Sequence, residues 1–170
     1  MILIYSYWPS RTISYQKPFK PRLLERLENF NKKINIEYRV LYKPVAQNFP
    51  LVDGFFFLDS NPKTMVGLRM TTAGGRHTTA STVRQFTECL ASYLNGWEEL
   101  SRDVSWEIIY VQQADGMPMN DWQRCDVDNS DNLSDDKKKI AAFWKEKVRQ
   151  YQVSISSRDF RRDKSLRSED

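Results

Sequence analysis

The segment from Leu51 to Leu58 constrains the fold more than any other feature of this sequence. It reads LVDGFFFL, a nearly continuous apolar run that is typical of a strand buried on both faces. A turn cluster, DSNPK, follows at residues 59–63, and the next run, MVGLRMTT, extends from Met65 to Thr72. The sequence therefore predicts a β-hairpin whose first strand is buried.

Two elements are predicted before the hairpin. Apolar residues recur at helical spacing after Pro21, which suits the first position of a helix, so a first helix is predicted at about residues 21–33. The segment IEYRVLY, residues 36–42, is rich in β-branched and aromatic residues and predicts a strand.

Three more elements are predicted after the hairpin. Thr82 and Gln85 are spaced as a capping box at the start of a second helix. Residues 104–112 (VSWEIIYVQ) predict a buried strand. A third helix, capped by Ser134, is predicted to carry its apolar side chains on one face: Ile140, Phe143, Trp144, Val148 and Tyr151.

This order predicts an α/β (α+β) fold with the αβββαβ core of the restriction-endonuclease-like nucleases and an additional C-terminal helix. With 170 residues, the chain is long enough for one domain with a substantial core. We expect an irregular lead-in over residues 1–20, a single nuclease-like domain over 21–155 and a charged, disordered tail over 156–170.

The composition disfavours several classes of protein. Cys89 and Cys125 cannot form a disulfide framework and have no neighbours at zinc-ligand spacing. The apolar start lacks a basic region and a cleavage site, so no secretion signal is predicted. No run approaches the roughly 18 apolar residues of a membrane span, and no G-x-x-x-x-G-K-S/T motif is present for ATP.

The distribution of charge is more informative than the net value of +4. Residues 11–43 carry nine Lys and Arg against three Glu, and residues 113–136 carry seven Asp against one Arg. The basic block permits a surface that binds nucleic acid, because Lys and Arg release counterions from phosphates. A set of solvated faces explains the same charges. The acidic block predicts a long loop, which a protein partner could contact.

Asp53 is the first candidate for chemistry. If the hairpin turns about residues 61–62, paired positions have numbers that sum to about 123, which brings Asp53 beside Arg69 or Thr71. A carboxylate there could hold Mg²⁺, which would activate water against a phosphodiester. The competing interpretation is an ion pair between Asp53 and Arg69.

A second candidate region, GGRHTTAS at residues 74–81, precedes the second helix. Free N–H groups and the helix dipole favour an anion there, so Arg76 and His77 are candidates for binding phosphate. Four basic residues of the N-terminal third complete the predicted nucleic-acid surface: Lys32, Lys33, Arg39 and Lys43.

Four long stretches point to a known family. They are RVLYKPVA (39–46), NFPLVDGFFF (48–57), VGLRMTTA (66–73) and FTECLASYLNGWEELSRDVSWEIIYVQ (86–112), and the pattern continues through NDWQRCDV and IAAFWKEKVRQYQVSIS. These stretches closely resemble the carboxy-terminal part of the retrotransposon hot spot proteins, a multigene family of parasitic protozoa. The residues before Arg39 match less well, so the chain resembles a truncated copy or a fragment.

The resemblance implies a fold and a setting. Full-length members combine an upstream P-loop ATPase region with a region related to restriction-endonuclease-like nucleases and to the Crinkler effectors, and only the second region is similar to this chain. Members are associated with the nucleus or its periphery, and some with transcription and RNA handling. The resemblance therefore implies nuclear or perinuclear localisation.

The resemblance also aligns Asp53 with the family's strand aspartate. Arg69 and Thr71 then fall where active nucleases of this fold place an acidic residue or Gln, followed by Lys. Arg69 would repel a divalent cation at 4–5 Å by several kcal/mol at an effective dielectric of about 20. Thr71 cannot act as the ammonium that stabilises the transition state.

These departures predict a catalytically degenerate nuclease-like domain that acts in nucleic-acid, chromatin or RNA-associated complexes. One alternative is an active nuclease that uses Asp53 as ligand for Mg²⁺. The other is a protein-interaction module that uses the acidic loop 113–136.

Overall fold

The computed structural model describes residues 4–5, 20–24, 33–46, 48–72, 74–75, 77–117, 119–127 and 134–156, and within them seven strands precede the first helix. In chain order the elements are β1 (Ile4–Tyr5), β2 (Lys20–Leu24), β3 (Ile34–Asn35), β4 (Val40–Pro44), β5 (Gly54–Leu58), β6 (Thr64–Thr71), β7 (Thr78–Thr79), α1 (Ala80–Tyr93), β8 (Leu94–Asn95), α2 (Trp97–Leu100), β9 (Ser105–Gln113), β10 (Cys125–Asp126), α3 (Asp135–Lys147) and β11 (Val148–Ile155).

The main sheet has the strand order β1-β11-β9-β6-β5-β4-β2. Strands β6, β9 and β11 are parallel to one another, whereas β5 is antiparallel to both β4 and β6. The apolar run forms β5, and the predicted hairpin pairs Gly54 with Leu68 and Leu58 with Thr64. The mixed sheet and its helices confirm the predicted α/β class.

The sheet separates two apolar clusters, because alternate side chains of each strand point to opposite faces. On one face α1, α2 and α3 pack on the sheet, and Phe86 of α1 meets the edge of Trp106 with ring centroids 5.7 Å apart. Trp97 and Trp144 are also buried on this face. On the other face lie Phe56, Val66, Ile109 and Val153, a cluster to which none of the described helices contributes.

The prediction of a first helix is wrong over residues 21–24. Lys20–Leu24 form β2, which runs parallel to β4 and pairs Lys20 with Val40. β2 lies at the edge of the sheet, where Pro21 is tolerated because an edge strand leaves N–H groups unpaired. Strand pairing thus overrides the helical spacing in this segment. Residues 25–32 lie outside the described residues.

The third helix is shorter than its apolar pattern predicts. It ends at Lys147, and Val148 and Tyr151 belong to β11, which pairs with β9 over its whole length. The segment VRQYQVSI places apolar residues at both helical and alternating positions, so periodicity alone could not distinguish the two.

The start of α1 differs from the prediction, whereas α3 starts at the predicted position. Thr79, not Thr82, caps α1, and its hydroxyl oxygen accepts a hydrogen bond from the Thr82 amide at 3.2 Å. Ser134 is at the capping position of α3, but its side chain makes no capping hydrogen bond. None of the helices in the described ranges is long and apolar enough to cross a membrane. The predicted disordered tail lies outside the described residues after Ser156.

Candidate functional site at the carboxyl ends of β6, β9 and β11

Asp53 lies immediately before β5, at the end of a strained turn. The Val52 amide donates to the Pro50 carbonyl at 2.8 Å, which closes a three-residue γ-turn around Leu51. Leu51 has a φ of 69°, a left-handed conformation that costs a residue with a β-carbon roughly 1–2 kcal/mol. Such strain persists only where the surrounding contacts hold the turn in place.

Contacts with β6 hold this turn. Gly67 leaves room for Val52, because a β-carbon at Gly67 would lie 2.7 Å from Val52 Cγ1. The Asp53 amide donates to the Leu68 carbonyl at 2.8 Å, and Asp53 Oδ2 accepts a hydrogen bond from the Met70 amide at 2.7 Å. The carboxylate is therefore fixed against the carboxyl-terminal half of β6.

The residues predicted to accompany Asp53 lie at the same end of β6. Continuing the hairpin register from Gly54 and Leu68 places Asp53 opposite Arg69, one residue from the predicted sum of 123. Thr71 is buried on the same strand face as Arg69. Arg69 and Thr71 thus lie near the carboxyl end of β6, and the carboxylate of Asp53 contacts the Met70 amide between them.

Tyr110 lies beside Arg69 in the neighbouring strand β9. Burial raises the pKa of Tyr110 to about 12, against the opposing positive charge of Arg69. The phenol is therefore neutral at physiological pH and keeps a proton to donate.

The donor set around Asp53 does not fit a hard divalent cation. Mg²⁺ takes six oxygen ligands, of which a protein usually supplies one or two carboxylates while waters and substrate phosphates supply the others. Asp53 supplies one carboxylate, one oxygen of which already accepts the Met70 amide, and Arg69 adds positive charge. Within the part of the chain that the structure describes, no group of three or more His, Cys, Asp or Glu side chains could hold a metal ion.

The predicted nucleic-acid surface is divided between two ends of the sheet. Lys43 is near the carboxyl end of β4, and His77 follows the carboxyl end of β6, so both lie at the Asp53 end. Arg39 donates its amide to the Phe57 carbonyl at the opposite end, and Lys33 precedes β3, beyond the C-terminus of α1. Lys32 and Arg76 lie outside the described residues.

His77 has a specific structural contact. Its Nδ1 accepts a hydrogen bond from the Arg124 amide at 3.1 Å, so the neutral imidazole carries its proton on Nε2. The Thr78 amide donates to the Arg124 carbonyl at 2.9 Å, and β7 pairs with β10. His77 therefore helps to attach the acidic loop to the start of α1.

A buried glutamine pair attaches the same loop to β11, and sequence reasoning missed it. Gln150 Oε1 accepts from the Gln123 amide at 3.0 Å, and Gln150 Nε2 donates to the Gln123 carbonyl at 2.9 Å. Trp144 Nε1 donates to the same carbonyl at 2.8 Å. Because buried polar groups require partners, these bonds fix the backbone at Gln123.

Gln112 performs the same role from β9. Its Nε2 donates to the Met117 carbonyl at 3.0 Å, and its Oε1 accepts from the Met119 amide at 3.3 Å and from Gln152 Nε2. A glutamine at a core-facing position of an otherwise apolar strand was the signal available in the sequence. The loop backbone is therefore held at Met117, Met119 and Gln123 by side chains of β9 and β11.

A pocket of about 30 Å³ lies between this loop and the middle of strands β9 and β11. Trp122 borders it with 46% of its surface exposed, whereas Tyr110 is 1% exposed. The complete lining is Tyr110, Met119, Asp121, Trp122, Gln123, Gln150, Tyr151 and Gln152.

Comparison of the chain with protein-family models, with curated proteins and with solved structures gave no match.

Proposed function

We propose that this chain is a nuclease-like domain that binds nucleic acid and has lost metal-dependent cleavage. The observation that carries the proposal is the position of Arg69 opposite Asp53, with Thr71 on the same strand face. Arg69 occupies the strand position at which a nuclease site needs an acidic ligand, and Thr71 occupies the position at which it needs an ammonium.

The order of the elements supports the nuclease-like part of the proposal. Strands β4, β5 and β6 form a meander, α1 crosses over, and β9 returns parallel to β6. This order is compatible with the βββαβ portion of a restriction-endonuclease-like core, in which the site would lie at the Asp53 end. The proposal includes membership of the retrotransposon hot spot family and a role in nuclear or perinuclear complexes, both supported by the sequence resemblance.

The strained turn at Leu51 supports a functional origin for the Asp53 position. A left-handed residue is costly, yet here it delivers a carboxylate to the end of β6. A site that descends from an active nuclease would retain this geometry after losing its other ligands.

A cleavage assay tests the loss of activity. Wild type and Asp53→Asn are incubated with single- and double-stranded DNA and RNA in Mg²⁺ or Mn²⁺. Asn keeps an oxygen that can accept the Met70 amide, so this variant removes charge with little change in structure. We expect equal background in both proteins, and cation-dependent cleavage by wild type alone would reject the proposal.

A binding assay tests the contact with nucleic acid. The affinity for labelled oligonucleotides should fall steeply with salt, and Lys43→Ala should lower the slope of log K against log salt by about 0.7–0.9. Lys139→Ala is the matched control, because Lys139 is exposed on α3 and pairs with Asp136. No binding at low salt would reject the proposal in favour of a protein partner at the acidic loop 113–136.

A further inference from the structure

We propose that the pocket beside Trp122 receives the edge of an unpaired base, while the ring of that base stacks on the exposed indole. The inference rests on the proposed nucleic-acid binding and deepens it, because it names single-stranded nucleic acid as the ligand. Four features of the pocket support it.

The first feature is the rigid presentation of an exposed aromatic ring. Trp122 precedes Gln123, whose backbone is held by Gln150 and Trp144. Gln123 Nε2 also donates to the Asp121 carbonyl at 2.8 Å, which ties the residues on both sides of the indole together. A ring held in this way stacks on a base with little loss of conformational freedom.

The second feature is a buried donor in the pocket wall. The Tyr110 hydroxyl is buried beside the Arg69 guanidinium, which can only donate a hydrogen bond, and no acceptor for the hydroxyl proton is found within the described ranges. Leaving a buried polar group without a partner is unfavourable, so an acceptor atom on a ligand would gain from meeting it. Ring nitrogens and carbonyl oxygens on the edges of bases are such acceptors.

The third feature is the size of the pocket. A volume of about 30 Å³ holds roughly two water molecules. It therefore admits an exocyclic group and the adjoining edge, while the ring remains outside against Trp122. A base in a duplex cannot adopt this pose, because both of its faces are already stacked.

The fourth feature is the charge at the rim. Asp121 lines the pocket and is exposed, so its carboxylate disfavours a phosphate at this position. The same carboxylate accepts a hydrogen bond from a base amino group. The rim therefore favours the base over the backbone of the nucleic acid.

The experiment compares three probes by fluorescence anisotropy at low salt: a labelled single strand of mixed sequence, the matching duplex, and an abasic strand of equal length. The variants are Trp122→Ala, Trp122→Phe and Tyr110→Phe. Met117→Ala is the matched control, because Met117 is a 72% exposed apolar residue of the same loop whose contact with Gln112 is made by its backbone.

We expect Trp122→Ala to weaken binding of the single strand by about 5- to 150-fold and to leave binding of the abasic strand unchanged. Trp122→Phe should retain most of the affinity, Tyr110→Phe should lose a few-fold, and Met117→Ala should match wild type. Saturation with the single strand should quench tryptophan fluorescence in wild type and not in Trp122→Phe.

Two results would overturn the inference while nucleic-acid binding stands. One is equal affinity of wild type for the base-containing and abasic strands. The other is unchanged single-strand affinity in Trp122→Ala. If wild type bound none of the three probes, the proposed function itself would fail.

Discussion

Replacing Gly67 with alanine tests how the fold positions Asp53. A β-carbon at Gly67 would lie 2.7 Å from Val52 Cγ1 and 2.9 Å from Ile108 Cδ1, and both of these side chains are buried. The position of Val52 Cγ1 is set by χ1, which has few alternatives in a β-branched side chain, so Val52 cannot move aside cheaply. Overpacking of this kind costs about 1–3 kcal/mol, and alanine recovers about 0.4–1 kcal/mol by restricting the unfolded chain.

The net expectation is a loss of about 1–2 kcal/mol in the free energy of unfolding, or a fall in Tm of roughly 2–8 °C for a domain of this size. Urea unfolding followed by tryptophan fluorescence measures the free energy. Gly54→Ala is the matched control in the paired strand, since a β-carbon there meets only ordinary contacts, 3.4 Å from the Tyr42 carbonyl oxygen and 3.5 Å from Leu41 Cδ1.

The effect should reach the candidate site through Val52. If Val52 shifts, the adjacent carboxylate of Asp53 loses its short contact with the Met70 amide, and hydrogen exchange at Met70 should accelerate in Gly67→Ala but not in Gly54→Ala. Equal stability of the two variants would refute the overpacking argument. Unchanged exchange at Met70 would refute the claim that Gly67 positions Asp53.

Three further perturbations test the loop, the other sheet face and a thiol. Gln150→Leu removes both hydrogen bonds from Gln150 to the Gln123 backbone, so it should lower the free energy of unfolding by about 1–3 kcal/mol and speed amide exchange at Gln123. Unaltered exchange at Gln123 would contradict the anchoring role. Burial raises the pKa of Glu107 despite the opposing charge of Arg149, so wild type loses stability as pH rises through that pKa. The free energy of unfolding of Glu107→Gln, measured relative to wild type by denaturation curves, should therefore increase between pH 4 and 7. A decrease would contradict the raised pKa of Glu107. Burial, with the charge of Asp126, raises the pKa of Cys125 to about 11. Alkylation of Cys125 at pH 8, followed by mass spectrometry, should therefore be about a hundredfold slower in the folded protein than in the protein unfolded in urea. Equal rates in the two states would show an ordinary thiol.

Elements whose stability is encoded within a few neighbouring residues were predicted from the sequence. The apolar run, the turn cluster and the returning run specify the β5–β6 hairpin, and the observed register differs from the predicted sum by one residue. Strand β9 and the start of α3 were likewise placed within a residue of the prediction. The sequence could also place Asp53 opposite Arg69, because a hairpin register is a local property.

Tertiary structure decided the elements whose partners are distant in sequence. Residues 20–24 become strand β2 because β4 offers an unpaired edge, and β11 forms because β9 does the same, although both segments carry helical spacing. The positions of Trp122 and Tyr110 around one pocket depend on bonds from Gln112 and Gln150 to a loop that periodicity cannot place. The local sequence pattern determines which segments can form strands, because it reflects contacts between residues that are close along the chain. Pairing between remote segments determines which of these strands do form and which pocket they enclose.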